Sequence, residues 1–114
     1  MTTESAERGW YSVRCVFRVT KDEAGSDESP TYEERVTLWK AESQDEAIAM
    51  AEAEAAEYSS GGLFEYLGMA QAFWLFDAPG NGAEIFSLMR GSGLGPNAYI
   101  DRFFDTGRER QGLT

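Results

Sequence analysis

The chain has 114 residues, 42% apolar and 13% aromatic, with a formal net charge of −10; this suits one soluble domain with a single core and is too aromatic for a disordered chain. Histidine is absent and cysteine occurs once, at Cys15, which excludes histidine-based triads, histidine-ligated metal sites, zinc clusters and an internal disulfide. The negative balance disfavours nucleic acid and anionic membrane surfaces, which need clustered Lys and Arg.

Residues 1–9 are polar and acidic and read as a disordered tail without a secretion signal, so a cytoplasmic location is expected. Residues 10–20 alternate, with Tyr11, Val13, Cys15, Phe17 and Val19 on one side, and predict a half-buried strand. The polar stretch 21–30 predicts a hairpin loop. Its Asp22, Glu23, Asp27 and Glu28 lack the alternate-residue spacing of a calcium loop. A second strand follows over residues 31–41. Ser43, with Glu46 three residues on, has the spacing of a capping box and opens an alanine-rich helix that carries Ala47, Ile48, Ala51, Ala55 and Tyr58 on one stripe and stops at residues 59–62.

Residues 64–77 are apolar on both sides and predict a central third strand. Residues 78–82 are turn chemistry, and residues 83–90 predict a fourth strand that closes a second hairpin. The glycine-rich residues 91–95 lead to Pro96 and a short last helix through Ile100, Phe103 and Phe104. That loop lacks the Lys-Ser/Thr of a phosphate loop, and Pro96 removes an N–H, so it reads as a connector. The predicted fold is therefore α+β, ordered ββαββα: an antiparallel sheet of about four strands, one main helix on a face and a short C-terminal helix, in a single domain.

Trp10-Tyr11-Ser12, the stretch from Tyr32 to Val36, and Ala41-Glu42-Ser43 running into Glu46-Ala47 and an alanine-rich helix are together similar to an uncharacterised bacterial family, domain of unknown function 4288. The resemblance implies a bacterial origin and a compact single domain. It brings no activity, cofactor or catalytic residue.

Six residues stand out as candidates. Glu34 shares a strand side with Tyr32, Val36 and Leu38. A carboxylate in that apolar register is expected to be at least half buried and paired with Arg14, Arg18, Arg90 or Arg102, either as a site or as a structural pair. Trp39 and Trp74, with Trp10, are expected opposite the most apolar sides of their strands, as a partner surface or as core under the last helix. Glu54 and Glu57 lie on a helix without an i,i+4 cation, in a stretch from Lys40 to Arg90 that holds nine acidic residues and no basic one between its ends. A basic protein partner would relieve that repulsion. Cys15 reads as a small buried hydrophobe.

The expected function is thus a small acidic non-enzymatic protein-binding domain, able to neutralise or regulate a basic partner, without cofactor or metal. The alternative is a small-molecule binder or carboxylate-dependent enzyme, with a pocket around Glu34 and Tyr32 between the sheet and the last helix. A homodimer through the sheet is also expected, because the aromatic second hairpin offers more apolar surface than two helices can cover.

Overall fold

The computed structural model describes residues 9–20, 30–104 and 106–111. The predicted tail, apart from Gly9, and the acidic loop over residues 21–29 lie outside them. Within the described residues the order is β1 (Gly9–Val19), β2 (Tyr32–Ala41), α1 (Gln44–Tyr58), β3 (Phe64–Trp74) and α2 (Pro96–Phe103). The fold is α+β, with a three-stranded antiparallel sheet in the order β2-β1-β3.

β1 is the central strand, and its side chains decide which face is inside. Val13, Cys15 and Phe17 are buried against Ala47, Ala51 and Ala55 of α1. These alanines recur every fourth residue and form a flat stripe, which lets the helix axis lie close to the sheet. Ser43 caps the helix by accepting a hydrogen bond from the Glu46 N–H at 3.0 Å, and the Glu46 carboxylate reaches back to the Glu42 N–H at 2.6 Å. The capping box predicted from the sequence is therefore formed, shifted by one residue on its return arm. Phe17 anchors an aromatic group at the other end of α1, with Tyr58 edge-on at 5.1 Å and Tyr66 at 5.4 Å. Tyr58 in turn stacks on Phe64.

Two predictions are corrected. The third strand is an edge strand rather than the central one, because β1 pairs on both sides, with β2 and with β3. The fourth strand does not form, so the order is ββαβα. The predicted turn is present, with the Ala83 N–H bonded to the Gly80 carbonyl and Gly82 at φ 79°. The chain beyond it is held by side chains instead of a ladder. Ser12 Oγ donates to the Ile85 carbonyl, Phe86 lies 5.9 Å from Phe73, and the Arg14 guanidinium sits 4.9 Å over the Phe86 ring. These contacts draw residues 85–86 across the face of the sheet that α1 leaves open. The outer edge of β3 also offers a poor template, because Leu67, Gly68 and Met69 stand opposite Val16 alone between the pairs Phe17–Tyr66 and Cys15–Ala70. Gly68 takes φ 78° in this bulge, a conformation that disfavours side chains.

α2 starts at Pro96, as its sequence predicts, but buries none of its residues and packs on no other element. Arg90 holds its apolar side, with the guanidinium 4.0 Å over Phe103 and 3.0 Å from the Tyr99 hydroxyl.

Candidate functional site

Residues paired across a sheet share a face, so the register of β2 against β1 locates the candidates. Tyr11, Val13, Cys15 and Phe17 face α1, and their partners on β2 are Trp39, Thr37, Arg35 and Glu33. Glu34, Tyr32, Val36 and Leu38 therefore occupy the opposite, outer face, where Tyr32 is 54% exposed. The sequence placed the apolar side of β2 inward. That is overturned, because pairing with β1 and not the alternation of β2 itself decides which side meets the helix. Glu34 is bonded to Arg14 at 3.2 Å, with side-chain exposures of 63% for the carboxylate and 23% for the arginine. The expected arginine partner is there and the expected burial is not. Arg14 also donates to the Gln71 side chain at 2.6 Å.

The tryptophans do not share a surface. Trp10 lies on the outer face under the Lys40 ammonium at 5.8 Å. Trp39 and Trp74 flank Tyr11 on the helix face, one from each neighbouring strand. Trp39 packs against the core and donates its indole N–H to Thr37 Oγ1 at 2.7 Å, while Trp74 is half exposed beside Phe76.

The carboxylates of α1 have partners that the sequence did not reveal. Glu54 forms a two-pronged pair with Arg35 of β2, at 2.9 and 3.2 Å. The same guanidinium stacks 3.6 Å over the Tyr58 ring, and the Tyr58 hydroxyl donates to Glu33 at 2.7 Å. Burial first, and then this bond to Glu33, pushes the Tyr58 phenol up to about 12. On the other side of the helix the Tyr66 hydroxyl donates to Glu52 at 2.6 Å, and burial raises that phenol further still. Cys15, buried beside Tyr66, has its thiol raised by burial as well. These groups fasten α1 to the strands on either side. The signal that could have found them was the position of Arg35 and Glu33 opposite Cys15 and Phe17. Glu57 is exposed and lies apart from this network.

The six candidates thus divide among three places: Tyr32 and Glu34 on the outer face, Trp39 and Glu54 at the helix–sheet seam, and Trp74 and Glu57 on other exposed surface. A cleft of about 430 Å³ touches Tyr32, together with Pro30, Thr31, Arg108 and Arg110. Glu34 does not line it, and it adjoins the start of β2 rather than the space between sheet and last helix. Among the described residues no group of three or more Cys, Asp or Glu side chains is placed to hold a metal ion, and no helix is long and apolar enough to cross a membrane.

Compared with known proteins, the chain matches the family model described as Domain of unknown function (DUF4288) over residues 10–87. No curated protein and no solved structure matches it.

Proposed function

The chain belongs to the domain of unknown function 4288 family, and within that family we propose that it serves as a non-enzymatic protein-binding domain whose contact surface is the outer side of β2. One observation carries this reading. Tyr32, Val36 and Leu38 project from an edge strand on the face turned away from α1, each at least 40% exposed, and α2 packs on no strand. Exposed apolar side chains gathered on one strand are a common mark of a partner surface.

The acidic helix draws less support as that surface. Glu54 is held by Arg35, Glu52 by Tyr66 and Glu46 by the cap, which leaves Glu42, Asp45 and Glu57 to meet a basic partner. The small-molecule or carboxylate-enzyme alternative draws less support too, since the cleft takes in Tyr32 without Glu34.

Immobilised wild type, a Val36→Glu/Leu38→Glu variant and an Asp45→Asn/Glu57→Gln variant separate the surfaces when each is used as bait and the captured proteins are identified by mass spectrometry. The sheet variant is expected to lose its partners and the helix variant to keep them. The opposite result moves the surface to α1.

A further inference from the structure

We propose that two copies of this chain join through the outer edges of β2, antiparallel and centred on Thr37, so that two three-stranded sheets continue as one sheet of six. The inference rests on the reading of β2 as the contact surface and names the occupant as a second copy.

The first argument is the edge itself. β2 is ten residues long, keeps strict alternation throughout and contains no proline. Its outer side makes no backbone hydrogen bond among the described residues. An unprotected edge of this length is a template for another strand. The other edge of the sheet is different, since the bulge at Leu67, Gly68 and Met69 in β3 breaks the row of donors and acceptors that a new strand would need. One edge is blunted and one is left ready.

The second argument is charge. The chain as a whole carries −10, so two copies repel on most approaches. Among the described residues of the strands and α1, the helix side gathers Glu33, Glu42, Asp45, Glu46, Glu52, Glu54 and Glu57 against Arg35 alone. Among the strand residues the outer face instead sets Arg14, Arg18 and Lys40 against Glu34 and Glu65. β2 itself carries Glu33, Glu34, Arg35 and Lys40 and is neutral. It is the part of an acidic molecule where a second acidic copy can approach without a net penalty.

The third argument is register. In an antiparallel pair about a two-fold axis the numbers of facing residues have a constant sum. Centred on Thr37, the two threonines face each other, Val36 faces Leu38 twice, and Glu34 faces Lys40 twice. Thr–Thr, apolar and opposite-charge pairs are the cross-strand combinations that stabilise sheets. Centring on Arg35 or Glu34 instead sets like charges face to face, and centring on Val36 or Leu38 loses the Glu34–Lys40 pairs. The two-fold axis stands perpendicular to the sheet, so both α1 helices lie on the same side. The two β1 strands beneath them are three strand spacings apart, roughly 14 Å, beyond the screening length of about 8–10 Å at ordinary salt. Arg35 neutralises Glu54 on the side that faces the seam.

Light scattering on the eluting full chain at micromolar concentration tests this, with circular dichroism to show that every variant is folded. The wild type is expected at twice the chain mass. Lys40→Glu and Glu34→Lys each set like charges opposite one another and are expected to weaken the dimer by roughly tenfold or more, and the double variant Glu34→Lys/Lys40→Glu to restore it. A wild type that stays at the single-chain mass overturns the proposal, and so does a double variant no tighter than its singles. If the wild type is single and the Val36→Glu/Leu38→Glu bait still loses its partner proteins, self-pairing is wrong while β2 remains the contact surface. If that bait loses nothing, both readings fall.

Discussion

Arg35 and Arg14 show how two arginines twenty-one residues apart in chain order can differ in what they hold. Arg35 and Glu54 are 27% and 32% exposed, joined by two hydrogen bonds, and the guanidinium lies flat on Tyr58. Planar, two-pronged and stacked geometry is what separates an arginine from a lysine. Arg35→Ala leaves Glu54 partly buried without its cation and strips the cover from Tyr58, and is expected to cost on the order of 2 kcal/mol in chemical denaturation. Glu34→Gln loosens a pair whose carboxylate is largely in water, and is expected to change stability by less than about 0.5 kcal/mol. From the sequence Glu34 was expected to be at least half buried, and its loss to cost on the order of 1 to 3 kcal/mol. Equal losses for both variants would mean that the seam contributes no more than the surface pair.

At the scale of elements, α1 is docked to its strands by neutral phenols as much as by alanines. Tyr58 bonds to Glu33 of β2 and Tyr66 of β3 bonds to Glu52 of α1. Both phenols are raised above the ordinary value of about 10, so the folded state keeps protons that the unfolded chain releases. Their contribution is whole below about pH 10 and is lost as the pH rises through the folded value, about 12 for Tyr58. The denaturant midpoint should therefore fall between pH 9 and about 11.5 in the wild type and fall less steeply in Tyr58→Phe; parallel curves would show that this phenol ionises alike in both states. β1, β2, the helix cap, the alanine stripe and the start of α2 could be read in the sequence because each rests on local spacing: alternation, a capping box, a four-residue repeat, a proline. The inward side of β2 could not, because it follows from which β1 residue each β2 residue faces. The missing fourth strand could not either, since residues 83–90 are apolar enough to suggest a strand but are captured by Ser12, Phe73 and Arg14, more than ten residues away. Glu34 was legible as an arginine's partner and illegible as a surface residue for the same reason.

Over the whole molecule, the described residues have a radius of gyration of 17.0 Å and extents of 57 × 41 × 25 Å, against roughly 13 Å for a compact domain of this length. α2 packs on no other helix or strand. The family match over residues 10–87 takes in the sheet, α1 and the Phe73–Phe86 contact and leaves out α2. A chain terminated after Met89 is thus expected to keep its circular dichroism and to unfold within about 0.5 kcal/mol of the full chain, as surface changes do; a collapse of the midpoint would show that α2 braces the sheet. Cys15 gives the molecule one more property. It is the single thiol of the chain, sits on the middle strand directly beneath α1, and is buried. A reagent in solution reaches it only when the helix lifts, and while the helix is closed burial also keeps the thiol protonated and unreactive. Its modification rate in native buffer is accordingly a clock for the opening of the helix from the sheet, read at one known atom and set by the local stability of that seam.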